Sequence, residues 1–168
     1  MAKTVDSYRF LSGLTKRLVK SWIKIEAPRD IPWTPLSRPL SDCTVALISS
    51  GGIALKTDHP FDQEGERQNP WWGDPSYRLI PRGTCAKDIR VYHQHIDPSF
   101  AEQDLNCLLP IDRLEEMAEA GLVGRAAQSH YSFMGYILDP EELLEKSIPE
   151  IVDRLHAEEV DVVVLVPA

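Results

Sequence analysis

Cysteine is scarce in this chain and forms no pattern. Cys43, Cys85 and Cys107 are widely spaced, with no CxxC among them. That excludes a paired disulfide framework and, with no signal-peptide pattern at the start, points to a reducing cytoplasm. Long apolar runs are absent too, so no segment reaches the roughly 20 residues that a bilayer span requires. Positive charge is in deficit: 18 Lys and Arg stand against 26 Asp and Glu, a net charge of −8. That balance argues against a general nucleic-acid binder. No G-x-S-x-G elbow occurs, and the first strand is followed by neither a Walker lysine nor the spaced glycines of a dinucleotide site. No cysteine carries the basic flanks of an activated nucleophile. Cys43 opens a strand and Cys107 precedes Leu108-Leu109, so both read as small buried hydrophobes.

What is present is an ordinary globular composition in 168 residues, 43% hydrophobic and 26% charged, enough for one core. The charge is uneven. Residues 1–30 hold seven Lys and Arg against three Asp and Glu, and the remainder holds eleven against twenty-three. Tyr8, Leu11, Leu14, Leu18, Trp22 and Ile25 recur at spacings of three and four, which predicts an amphipathic helix over 5–26. Pro28, Pro32, Pro35 and Pro39 then impose an extended strap over 27–42. This basic arm suits either capping of its own core or docking on a partner copy.

A compact α/β domain is expected from residue 43 to 168. Residues 43–49 (CTVALIS) read as a buried strand, followed by a Ser49-Ser50-Gly51-Gly52 turn. Residues 53–88 read as a long irregular loop, and 89–96 (IRVYHQHI) as a second strand. Asp112 and Glu115 suggest a capping box, with the helix ending at Gly121. Residues 126–137 fit no single template. Asp139-Pro140-Glu141-Glu142 and Ser147-Ile148-Pro149-Glu150 suggest two consecutive helices over 140–158. The chain closes on Val160-Asp161-Val162-Val163-Val164-Leu165-Val166-Pro167, whose continuous β-branched run is that of a parallel strand buried on both faces. The sum is a Rossmann-like, partial doubly wound sheet behind an N-terminal helix and a proline-rich strap. In such sheets ligands sit beyond the carboxyl ends of the strands.

His93-Gln94-His95-Ile96-Asp97 is the sharpest local motif. On a strand, His93, His95 and Asp97 face one way. Two imidazoles and a carboxylate there suit proton transfer or a divalent metal, with Asp104 and Asn106 near enough in sequence to add oxygen ligands. The plainer alternative is a polar strand end whose histidines bond the long loop. Ser50-Gly51-Gly52 would cradle an anion on backbone N–H groups, or simply make a turn. Trp71 and Trp72, in a loop with Asp74 and Arg78, read as a lid on the core or an anchor for a partner. His130 is either a satisfied core residue or a neighbour of His93 and His95.

The runs CTVALISSGGI (43–53), NPWWGDPSYRLIP (69–81), HQHID with Asp104-Leu105-Asn106, and VDVVVLVPA (160–168) together resemble the glycine/sarcosine/betaine reductase selenoprotein B family, from about residue 40 onward. The resemblance implies a Rossmann-type component of an anaerobic amino-acid reductase. In that setting a partner subunit's pyruvoyl group activates the substrate amine, and a selenocysteine reductively cleaves the C–N bond. The matching redox position would follow the last strand, where this sequence has no residue. The resemblance therefore implies either an in-frame UGA after Ala168 or a short relative whose selenol or thiol comes from elsewhere. The expectation is a substrate-binding subunit using His93, His95 and Asp97, with Ser50, Gly51, Gly52, Asp74, Arg78, Asp104, Asn106 and His130 around the ligand, in a homo-oligomer or a complex with a redox partner. The rivals are a non-catalytic scaffold docking through its N-terminal arm and a metal enzyme built on the HxHxD strand.

Overall fold

The computed structural model describes residues 12–25, 33–69 and 72–168. The chain divides into two units, Met1–Pro35 and Leu36–Ala168. In the first, α1 runs Gly13–Ile25. The expected helical positions Tyr8 and Leu11, residues 27–32 of the strap and Trp71 lie outside the described residues. The described part of the strap is not extended throughout but ends in a 3₁₀ turn, Leu40–Asp42.

The second unit is a mixed α/β domain. Its central strand β1, Thr44–Ser49, is buried along its whole length. The side chains alternate between two cores as a pleat requires. Val45 and Leu47 face one that holds Ile53, Ile80, Ile89, Leu109, Ile111 and Leu114. Ala46 and Ile48 face the other, with Tyr131, Ile151 and Leu155. One edge of β1 pairs in parallel with β5 (Arg125–Ala126) and then β6 (Ser129–Phe133), two halves of one interrupted strand. Beyond β6 lies β3, Tyr77–Pro81, antiparallel to it. The other edge of β1 pairs in parallel with β7, Val162–Val166. A separate two-stranded ladder joins β2, Ile53–Leu55, to β4, Ile89–Val91.

Three expectations change here. The stretch 53–88 is not one loop: it holds β2, β3 and a short helix α2, Gln63–Gln68. The second strand stops at Val91 instead of reaching residue 96. The last strand, β7, pairs with β1 alone among the described residues, with Val164 43% and Leu165 71% exposed. The strand flanked on both sides and buried on both faces is β1.

Two short helical turns, α3 (Ser99–Gln103) and a 3₁₀ turn at Leu105–Cys107, lead into α4, Ile111–Glu119. The N-cap of α4 is Pro110, so Asp112 makes no capping box. The C-terminus is a Schellman motif: Leu122 N–H donates to Met117 O, Gly121 N–H donates to Ala118 O, and Gly121 has φ +70°. The two helices expected over 140–158 are one continuous piece. A π-helical turn, Leu143–Ser147, runs into α5, Ile148–Ala157. Pro149 explains it: its ring would crowd the carbonyl four residues back, and a wider turn relieves that contact. Ser147 is no cap either, since its hydroxyl donates to Pro75 O. Cys43 is buried as expected, but Cys107 is exposed at the end of its 3₁₀ turn, as is Cys85.

Candidate functional site

Because β1, β6 and β7 are parallel, their carboxyl ends open on the same edge. The turn after β1 is tightly built. Ser50 N–H donates to Val166 O, Gly51 N–H to Ser49 Oγ, and Gly52 N–H to Phe133 O. All three backbone donors are thus engaged, and the turn has none free to cradle an anion. What it retains is the Ser50 hydroxyl, whose Oγ accepts from Ala168 N–H at 2.9 Å and whose proton remains available. Gly52 sits at φ +60°, where a Cβ would fall 2.5 Å from Met134 Sδ. Its carbonyl accepts from Tyr92 N–H at 2.8 Å, and that bond brings the segment after β4 alongside the turn.

His93 follows directly and is buried, 8% exposed. Its ring lies over Gly135, where a Cβ would stand 2.6 Å from Nε2 and 3.0 Å from Ser50 O. Its Nδ1 accepts the His95 backbone N–H at 3.1 Å. Burial, and then the neighbouring His95, push the His93 pKa down. The His95 ring stands edge-on to His93, centroids 5.9 Å apart, and edge-on to Tyr136 at 4.8 Å. Tyr136 is half exposed and takes the left-handed backbone conformation at φ 60°, uncommon for a residue with a side chain. Gln94 fixes the segment from behind: its Nε2 donates to Glu66 Oε2 at 2.6 Å and to Gln63 O at 3.1 Å. Gln63 Nε2 in turn donates to Tyr92 O at 2.6 Å. Burial raises the Glu66 carboxyl above its ordinary range.

The edge therefore unites Ser50, Gly51, Gly52, His93 and His95 from the sequence-based set. Glu66, Gln94, Gly135 and Tyr136 join them without having been singled out. Gln94 was inside the recognised motif, and Tyr136 lay in the stretch 126–137 that fitted no template.

The other candidates stand elsewhere. Asp97 is exposed, and hydrogen bonds from Ser99, first from its hydroxyl and then from its N–H at 2.9 Å, hold its pKa down. With no strand past Val91, the argument that His93, His95 and Asp97 share a face does not apply. Among the described residues no group of three or more His, Cys, Asp or Glu is arranged to hold a metal ion. Asp104 and Asn106 brace α4: Asn106 Nδ2 donates to both Asp104 and Asp112 at 2.8 Å, and its Oδ1 accepts from Asp112 N–H at 3.0 Å. Asp74 is buried and accepts from Asp62 N–H and from the Ser76 N–H and hydroxyl. Arg78 clamps the loop before α2, donating to His59 O and Pro60 O while lying 4.0 Å over the Phe61 ring. Trp72 is half-buried against α2, where a Cβ on Gly65 would meet it at 2.7 Å.

His130 is sealed inside the sheet. Its Nδ1 accepts Leu47 N–H at 3.1 Å, which fills the gap in the β1 ladder between β5 and β6. Its Nε2 has no hydrogen-bond partner among the described residues, and burial lowers its pKa to about 4.

Comparison with known proteins gives a consistent picture. The model of the family described as glycine/sarcosine/betaine reductase selenoprotein B matches residues 10–168. The chain is 35% identical over 133 residues to the D-proline reductase subunit gamma of Acetoanaerobium sticklandii, covering 79% of this chain and 52% of that protein. It is 30% identical over 105 residues to a glycine reductase complex component B subunit gamma of Carboxydothermus hydrogenoformans, covering 62% and 23%. It is likewise 30% identical over 100 residues to a betaine reductase complex component B subunit beta of Peptoclostridium acidaminophilum, covering 58% and 22%. The chain thus spans about half of the first relative's length and under a quarter of the other two. No solved structure matches it.

Proposed function

The chain belongs to the glycine/sarcosine/betaine reductase selenoprotein B family, and on that premise we propose that it is the substrate-binding part of a reductase-complex subunit. Its ligand is a small amino or imino acid held at the carboxyl edge of the sheet for reductive C–N cleavage. The relatives' names supply the ligand class. D-proline, glycine and betaine share a carboxylate beside a carbon that bears nitrogen. The reading takes the mixed sheet as a partial doubly wound one; the parallel pairing of β1, β6 and β7 supports this, and ligands of such sheets sit beyond the carboxyl ends of the strands.

The observation that carries the reading is the His93–His95–Tyr136 cluster at that edge. His95 is exposed there, its ring against those of His93 and Tyr136, and in this reading it exchanges protons with the bound ligand. Where the nitrogen is not already cationic, its departure needs a proton, and His95 is the group placed to give it; the quaternary nitrogen of betaine leaves as a neutral amine without one. None of the cysteines belongs to this cluster. Cys43 lies before the amino end of β1, and Cys85 and Cys107 are exposed on other segments. The reading therefore takes the selenol or thiol that attacks carbon from a redox partner or from polypeptide beyond these residues; when present, that group supplies the nucleophile and the reducing electrons.

Calorimetric titration of the full chain with D-proline, glycine and betaine tests this. At least one should bind, and His95→Ala should weaken that binding about tenfold, the order of one lost hydrogen bond to a charged group. Failure of all three to bind would favour the scaffold role.

A further inference from the structure

The two histidines of the edge are not equivalent. His93 is 8% exposed, and its Nδ1 is engaged as an acceptor from His95 N–H. A ring nitrogen that accepts a backbone N–H carries no proton, so a neutral His93 must carry its proton on Nε2. No hydrogen bond to Nε2 is present among the described residues. Unlike His130 Nε2, this atom is not sealed away from solvent. It lies over Gly135, beside the Ser50 carbonyl, in space that any side chain at residue 135 would fill. A buried ring locked at one nitrogen and open at the other is a placed donor with nothing of its own to bond.

The geometry points to His93 as a positioned, neutral hydrogen-bond donor whose Nε2–H takes a carboxylate oxygen of the ligand, while proton exchange is left to His95. This rests on the proposed carboxyl-edge site and divides the labour within it. The Ser50 hydroxyl, the remaining free donor of the turn, is the natural second contact for the same carboxylate, since every backbone N–H there is already engaged. The downward push of burial on His93 works in the same direction, keeping the ring uncharged at neutral pH.

The test uses the full chain labelled with ¹⁵N-histidine. Long-range proton–nitrogen correlation at pH 7 should give His93 the Nε2–H tautomer before any ligand is added; an Nδ1–H tautomer or an imidazolium would overturn the inference. On titration with D-proline, glycine and betaine, the His93 Nε2–H resonance should move with the ligand that binds. His93→Leu should weaken that ligand about tenfold to a hundredfold, the range for one hydrogen bond to a charged acceptor. His93→Gln, which keeps an N–H near the Nε2 position, should stay within about threefold. Binding that leaves Nε2–H unmoved and His93→Gln as weak as His93→Leu overturns the donor role alone. No binding by any of the three removes the edge site itself, and this inference with it.

Discussion

At the scale of single residues, the site depends on one missing side chain. Gly135 leaves the room that His93 occupies, since a Cβ there would lie 2.6 Å from Nε2. Gly135→Ala should therefore push the His93 ring aside and weaken D-proline, glycine or betaine binding about tenfold, as calorimetry would register. The HQH motif was legible in the sequence, but the reason first given for it was not the one that operates. Alternation on a strand would have placed His93, His95 and Asp97 together. The strand ends at Val91, and a turn instead gives His93 to the interior, His95 to the edge and Asp97 to the cap of Ser99. Lone sequence signals cannot separate these outcomes, because a turn and a strand end accept the same polar residues.

His130 carries a residue-scale prediction of a different kind. Its folded pKa of about 4 lies below the ordinary histidine value of 6.5. The unfolded chain therefore binds this proton more readily than the folded one. The contribution is fully present above about pH 6.5 and is lost as the pH falls toward 4, by about 3 kcal/mol in all. His130→Leu should lower stability at pH 7, because it leaves the Leu47 N–H without its acceptor. It should also flatten that part of the profile. Urea unfolding from pH 4 to 8 checks both, and a wild-type curve no steeper than the variant's would contradict the assignment.

At the scale of elements, β1 and β7 were legible from their β-branched apolar runs, and α4 and the helix through 141–157 from end signals, of which Gly121 acts as expected while the boxes at Asp112 and Ser147 do not form. Strands β2 and β3 were not. Each is short, β3 ends in Pro81 and is only partly buried, and its pairing with β6 is long-range, so nothing local declares it. Strand β7 shows the opposite failure. Its composition is that of a flanked strand, yet its far edge has no neighbour among the described residues. The consequence is measurable by thermal or urea unfolding. Leu165→Ala, at a largely exposed position, should change stability by less than about 0.5 kcal/mol. Ile48→Ala, at 7% exposure in the second core, should cost about 2–5 kcal/mol. The start of α4 likewise depends on a side chain outside the helix. Asn106→Ala removes the acceptor for Asp112 N–H and should cost about 1 kcal/mol, read as a lowered urea midpoint.

At the scale of the whole molecule, family membership was legible from several separated runs, and the comparisons bear it out over residues 10–168. The surroundings of the site were less so. Glu66 and Gln94 meet across 28 residues of sequence, and Tyr136 reaches His95 from another strand end, so only the assembled sheet brings them together. The account's central claim is that the carboxyl edge is where this chain takes hold of its ligand. An amide shift map of the ¹⁵N-labelled full chain during titration with D-proline tests it most directly. The account predicts the largest shifts at Ser49–Gly52, His93–Ile96 and Met134–Tyr136; Arg38, Arg125 and Asp161, which line a hollow at the amino ends of β1, β5 and β7 where Asp161 accepts Thr44 N–H, should stay unmoved. Shifts centred on that opposite end, or none at saturating D-proline, would contradict it.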